Sequence, residues 1–228
     1  PRAHPAPPGA LRQALAALWR TVRTLPRHRS RFAYLGSSMF YRDALNGMYT
    51  FGGIYAAGVL GWTVIDVGVF GIIAIIAGTV FAVVGGAADA RFGPKPVITA
   101  CVLVLMGVGL GIVLVSPVSV FGVPVPEGSP APDIAFFVFG ALIGAAGGAL
   151  QAASRSMMVR QADPARMTEA FGLYALAGKA TSFLAPLSIG VATAATGSQQ
   201  LGVSPLLALF AIGLVLLVWV DPKGDTAP

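Results

Sequence analysis

Charged side chains are scarce in this 228-residue chain: 11% are Asp, Glu, Lys or Arg, against roughly 25% in soluble domains. With 56% hydrophobic residues and a mean hydropathy of +0.79, that scarcity excludes a water-soluble domain and indicates a membrane protein. The single cysteine, Cys101, sits inside an apolar run, so neither a disulfide framework nor a thiolate metal site can be built within one chain. Histidine is confined to His4 and His28 in the polar N-terminal region, which removes zinc centres and histidine bases from the apolar part. No cofactor or metal is expected. The 29 glycines and 17 prolines follow no G-X-Y period and lie within long apolar runs, which excludes collagen and simple disorder. The chain starts at Pro1 rather than at a methionine, and we expect it to be a piece of something longer.

What is abundant is apolar sequence of membrane-crossing length. A crossing helix needs roughly 20 apolar residues, because no water is present in the hydrocarbon to satisfy the backbone. Six runs qualify: Phe32 to Leu60, Val64 to Gly86, Val97 to Ser116, Ile134 to Ser154, Ala170 to Thr193 and Ser204 to Val220. Turn chemistry separates them at Gly61-Trp62, Phe92-Gly93-Pro94, the Pro-rich span from Pro117 to Pro132, Asp163-Pro164 and Gly197-Ser198. The fifteen Lys and Arg residues set the orientation. Seven precede the first run, two (Arg91, Lys95) lie in the second loop, three (Arg155, Arg160, Arg166) at the fourth, and Lys223 follows the last. By the positive-inside rule both termini are expected in the cytoplasm. The expected location is the inner (plasma) membrane of a bacterium.

The expected organisation is a basic cytoplasmic linker over 1–31, a six-helix transmembrane domain over 32–220 and a cytoplasmic tail over 221–228. Within the linker, Leu11, Leu15, Leu18, Trp19, Val22 and Leu25 recur at three and four residues, which predicts an amphipathic surface helix. A secretory signal fits poorly, since no continuous apolar run precedes Arg27. A nucleic-acid-binding arm is not expected, because the positive-inside rule already accounts for the arginines.

Polar groups at membrane depth are costly, so each is a candidate for function. The first cluster is Tyr41-Arg42-Asp43 with Asn46, followed by Phe51-Gly52-Gly53-Ile54-Tyr55, where glycines predict close packing or a bend. Arg42 and Asn46 share a helix face at i, i+4, whereas adjacent Arg42 and Asp43 point about 100° apart and each needs another partner. The second is Gly140, Gly144, Gly147 and Gly148, a small-residue strip for helix packing that ends in Gln151 and Arg155. Arg155 is expected as an interfacial anchor or gate. The third is Lys179, with Tyr174 before it, too deep to reach the surface comfortably. An ionised Lys179 needs a substrate anion, a water-filled cavity or a carboxylate such as Asp43.

A fourth signal lies between the second and third runs. Gly86-Ala87-Ala88-Asp89-Ala90-Arg91-Phe92-Gly93-Pro94-Lys95 resembles the signature loop of the major facilitator superfamily, G-x-L-x-D-R-x-G-x-K, with Ala90 at the usual aspartate position and Asp89 one place early. Such a loop uses its carboxylate to cap a neighbouring helix and build a charge network. Tyr41-Arg42-Asp43-Ala44-Leu45-Asn46, the run Gly147 to Ser156, and Phe171-Gly172-Leu173-Tyr174 with Gly178-Lys179 resemble the C-terminal half of the UMF1 (Atg22-like) branch of that superfamily. The resemblance covers about Phe32 to Val220, with Ala185-Pro186 standing where Gly-Pro is expected.

What this resemblance implies is an all-α membrane protein: six transmembrane helices forming half of a twelve-helix fold, preceded by the cytoplasmic amphipathic helix. It implies secondary transport, with a site near the midplane between two rocking halves. Eukaryotic members of the branch are associated with amino-acid efflux from the vacuole. The expected substrate is a small polar or zwitterionic solute, bound or coupled through Arg42, Asp43, Asn46, Tyr55, Gln151, Tyr174 and Lys179. Gly86, Asp89, Arg91, Gly93, Lys95 and Arg155 form the expected signature loop and gate. The expected partners are the bilayer, the solute, and either the missing N-terminal half or a second copy. The alternative is a non-transporting assembly module whose six helices pair with another chain. An enzyme is not expected, since no His, Cys pair or paired carboxylates lie in the membrane part.

Overall fold

The computed structural model of the protein describes residues 28–225, so the amphipathic helix expected over Ala10 to Leu25 lies outside the described residues. Among the described residues, eight α-helices and a small β-meander follow in order: α1 (Arg29–Val59), α2 (Val64–Phe92), α3 (Pro94–Val113), β1 (Val115–Ser116), β2 (Ser119–Val120), β3 (Val123–Pro124), α4 (Ala131–Gln161), α5 (Met167–Ala180), α6 (Leu184–Thr196), α7 (Gln199–Gly202) and α8 (Pro205–Val218). A 3₁₀ turn, Pro164–Arg166, precedes α5.

Turn and capping residues place the boundaries where the sequence signals them. Thr63 and Asp66 form a reciprocal capping box at the start of α2, with Thr63 N–H donating to Asp66 Oδ2 at 2.9 Å. Gly93 ends α2 with φ +85°, a conformation that favours glycine, and Pro94 opens α3 at its first turn, where no N–H is needed. Gly197 closes α6 in the left-handed region.

Five stretches of the described residues are long and apolar enough to cross a membrane: Val64–Phe92, Pro94–Val113, Ala131–Gln161, Pro164–Thr196 and Gln199–Val218. The first run differs. Helix α1 has 31 residues and reaches about 46 Å at ~1.5 Å per residue, yet Ser37, Ser38, Tyr41, Arg42, Asp43 and Asn46 in its middle keep it from being as apolar as the others. The fifth run also departs from a single helix. It is broken at Thr181-Ser182-Phe183 into α5 and α6. The third helix stops at Val113, and the three-stranded antiparallel meander, with Val115 opposite Val120 and Val120 opposite Val123, takes up the connection to α4.

Small residues set the closest helix contact, between α2 and α4. A Cβ on Gly144 would fall on the carbonyl oxygen of Ala74, one on Gly148 on that of Gly78, and one on Gly85 would lie 2.6 Å from Ala149 Cβ. The two backbones therefore pack directly, the mechanism available in lipid, where burial of apolar side chains gives little drive. Gly140 faces the ring of Phe70, while Gly147 turns to α1 and receives the Tyr49 hydroxyl. Gly52 and Gly53 pack against Phe70 and Val67 without ending α1, so close packing rather than a bend is their role. Outside this seam α2 is bare: Phe70, Gly85 and Asp89 are its buried residues, and Ile65 and Ile75 are 77% and 69% exposed.

Polar ties hold α1 in the middle of the bundle. Ser37 Oγ donates to Gly213 O on α8 at 2.6 Å, Tyr41 Oη and Ser154 Oγ on α4 lie 2.8 Å apart, and Tyr34 donates to Ser154 O. Trp62 stacks on Phe137 with centroids 4.4 Å apart and donates its Nε1–H to Asp133 Oδ1 at 2.6 Å, closing the end near the meander.

Candidate functional site

One face of α1 carries polar residues that remain accessible within an otherwise apolar bundle. Arg42, Asn46, Tyr49 and Thr50 recur at four, three and one residues, which aligns them along the helix. Arg42 is half-buried and the other three are exposed. On either side this strip meets α4 and α5.

Arg42 lies on the α5 side. Its guanidinium carbon stands 4.1 Å above the Tyr174 ring centroid, and Nη1 donates to Tyr174 O at 3.1 Å. A Cβ on Gly178 would meet Nη1 at 2.8 Å, so the glycine makes the slot that admits the guanidinium. Stacking of this kind contributes about 0.5–2 kcal/mol. The planar fork keeps further N–H donors that bind nothing among the described residues, and these are able to receive a carboxylate. Lys179 follows Gly178 directly and is exposed, with no ion pair among the described residues.

Tyr49 lies on the α4 side, its hydroxyl over Gly147, and lines the same groove as Gln151. Here α1 and α2 splay apart over α4 and leave a groove of about 1100 Å³, lined among others by Tyr49, Trp62, Ala74, Gln151 and Arg155. The groove walls are apolar near Trp62 and polar where Gln151 and Arg155 project.

Asp43 is not on this accessible strip. It is 2% exposed, and its Oδ2 accepts the backbone N–H of Ala185 at 2.9 Å. That N–H belongs to the first turn of α6, where no intrahelical acceptor exists. The structure therefore uses Asp43 to cap the half-helix after the break, and no ion pair joins it to Lys179. Tyr55 also stands apart. It is 3% exposed, stacks on Phe136, and donates towards Ile112 O and Val115 O, both at 3.1 Å, tying α1 to the end of α3.

The signature-loop residues gather at the opposite end of the bundle from the meander, but with partners the linear motif does not name. Asp89 is 8% exposed and lies 3.9 Å from Nη2 of Arg160 on α4. Because Arg160 is largely solvated, such a pair contributes about 0–1 kcal/mol. Lys95 reaches across to α8 and donates to Val218 O at 3.1 Å and Val220 O at 2.7 Å, the free carbonyls at that helix's C-terminus. Arg91 is exposed beside Phe92, and a Cβ on Gly86 would meet nothing within 4 Å. At the same end Asp225 accepts the Ser30 and Arg31 N–H groups, both at 3.0 Å, and Gln161 bonds Ser30 and Asp221.

Sequence reasoning did not single out Tyr49, Ser154, Gly178's slot or Arg160. Tyr49 was findable, since it continues the Arg42 and Asn46 face by three residues. Arg160 was not, because its role depends on which helix end it meets.

With the geometry in hand, similarity to known proteins gives the family. Residues 2–226 match the family described as vacuole effluxer Atg22-like. The chain is 25% identical over 210 residues to a Bacillus subtilis (strain 168) protein named the uncharacterized MFS-type transporter YxiO, with 92% of this chain and 45% of the relative covered. The chain thus spans about half the length of the curated relative it matches. The apolar helices make it an integral, multi-pass membrane protein, and the match over both the helices and the polar face means that the chain belongs to the vacuole effluxer Atg22-like family.

Proposed function

We propose that the chain is one half of a twelve-helix secondary transporter that moves a small polar or zwitterionic solute by alternating access, with amino-acid efflux as the leading case. The observation that carries this reading is the accessible polar face formed by Arg42, Asn46, Tyr49, Gln151, Arg155 and Lys179. Hydrocarbon does not tolerate such a set, so the face belongs against water, a solute or another protein surface. In this reading α1 crosses as the first of six spans, both termini are cytoplasmic, and residues 1–31 link the two halves along the inner-membrane surface.

The face is cationic on this side. Arg42, Arg155 and Lys179 suit the carboxylate of the solute, and Gln151 with Asn46 and Tyr49 supply neutral hydrogen bonds. Asp43 faces away, so the amine of a zwitterion is left to the other half. Tyr174 positions Arg42. Asp89, Arg160, Lys95 and Gly93 brace the helix ends that the two halves' rocking must carry as rigid bodies.

Uptake and counterflow of amino acids into vesicles containing the full-length protein test this. Lys179→Ala and Arg42→Ala are expected to reduce transport at least about tenfold. Unchanged transport in both variants sinks the assigned face. A full-length protein that moves no solute but forms a stable assembly through α2 favours the pairing module instead, a reading supported by the bare apolar surface of that helix.

A further inference from the structure

We propose that Asp43 binds a coupling proton and that its protonation loosens the joint between α5 and α6. This rests on the transporter reading above and adds the coupling ion to it. Asp43 is 2% exposed. Its Oδ2 holds the Ala185 N–H at 2.9 Å, while Oδ1 is enclosed and has no hydrogen-bond partner among the described residues. A buried carboxylate oxygen without a donor is unfavourable, because the charge has left water without full replacement of its hydration. A proton relieves this and needs no space. A hydrated metal ion does need space.

The surroundings supply no other compensation. Helices α6 and α8, which meet α1 through Ala185 and Leu206 beside Gly47, carry no ionisable side chain, and neither does α7. On α1 itself, Tyr41 is bonded to Ser154 and Arg42 lies over Tyr174. From α5 come Glu169, paired with Arg166, together with Tyr174 and Lys179, and none of these forms an ion pair or hydrogen bond with Asp43 among the described residues. From α4 come Arg155, which lines the groove, and Arg160, which is paired with Asp89.

Protonation changes one bond of the joint. A proton passes from a hydronium ion to Oδ1: one O–H bond of the hydronium breaks and leaves water, the carboxyl O–H bond forms, and the negative charge of the carboxylate is cancelled. The Ala185 N–H then donates to a neutral carboxyl, a much weaker acceptor than the charged one. The remaining polar bond from α1 to this turn is long, Thr181 Oγ1 to Met39 O at 3.4 Å. Loss of the charge therefore frees the start of α6. Lys179 lies two residues before the turn, on the polar face, so the protonation state of Asp43 is transmitted to a residue the solute meets.

The experiment uses the full-length protein. Infrared difference spectra across about pH 5 to 9 are expected to show a carboxylic-acid band that shifts in Asp43→Glu and disappears in Asp43→Asn. In vesicles, with alanine, glutamate and lysine as probes, Asp43→Asn is expected to lose gradient-driven accumulation about tenfold while retaining counterflow exchange. Full accumulation in Asp43→Asn, or spectra unchanged by either variant, overturns the proposal. Should the wild-type protein move none of the probes, the infrared band still reads the proton site, so failure of the transporter reading and failure of this one are separable. Asp43→Glu retains an acid, which keeps the spectroscopic arm valid if Asp43→Asn does not fold.

Discussion

Asp43 on α1 and Ala185 on α6 are joined by a 2.9 Å hydrogen bond between residues 142 positions apart, and Oδ2 of the buried carboxylate thereby caps a helix that starts inside a membrane-spanning stretch. This changes the meaning of the Arg42-Asp43 pair. The two side chains leave α1 in different directions, Arg42 to the accessible face and Asp43 to a buried joint. One stacks over Tyr174 and the other caps the start of α6.

Gly144→Val and Gly148→Val are expected to separate α2 from α4, because the added Cβ atoms land on the carbonyls of Ala74 and Gly78. A cost of about 1–3 kcal/mol each is expected from overpacking. Gly86→Ala is the control, with open space around its Cβ position. Thermal unfolding in detergent checks this, and equal loss in the control removes the seam as the explanation.

Arg42→Lys is expected to behave more like Arg42→Ala than like the wild type in solute uptake. An ammonium does not stack flat on Tyr174 or present a planar fork to a carboxylate. Saturation kinetics in vesicles decide it: a lysine variant with wild-type affinity argues against the fork.

Tyr55→Phe and Tyr49→Phe are expected to separate structure from transport. Removing the Tyr55 hydroxyl takes away one donor shared between the Ile112 and Val115 carbonyls, of which Val115 O keeps Gln200 Nε2, and lowers stability by about 0.5–1 kcal/mol, with transport kept. Removing the Tyr49 hydroxyl alters solute affinity in the groove with little change in unfolding. The reverse pattern overturns the assignment of Tyr55 to the scaffold.

Lys95→Met is expected to cost about 0.5–2 kcal/mol of stability, since it uncovers two carbonyls at the end of α8. Arg91→Met, on an exposed side chain of the same loop, is expected to stay within about 0.5 kcal/mol. Chemical or thermal denaturation of the two variants side by side distinguishes a cap from a general charge effect.

Much of the fold was legible because hydrocarbon imposes a simple rule. Apolar runs of membrane length must be helical, so Val64 to Gly86, Val97 to Ser116, Ile134 to Ser154 and Ser204 to Val220 matched helices to within several residues. The break at Thr181-Ser182-Phe183 was legible only in part. Pro186 is the local signal, since it has no N–H for the Ser182 carbonyl and its ring clashes there, while the carboxylate from α1 that caps the restarted helix was hidden. The glycines of α4 read correctly as packing residues, but the partner helix of each was hidden, since Gly144 and Gly148 face α2 while Gly147 faces α1.

The sequence by itself determined that this is a multi-pass membrane protein with polar residues at depth on α1, α4 and α5, because composition and run length follow from the solvent each residue must live in. Only the tertiary structure decided what those polar residues do. Arg42, Asp43 and Tyr55 share a helix and similar sequence standing, yet one is accessible over Tyr174, one caps α6, and one ties α1 to α3. The physical reason is that a polar side chain in an apolar medium takes its role from the partner brought to it, and those partners lie 57 to 142 residues away.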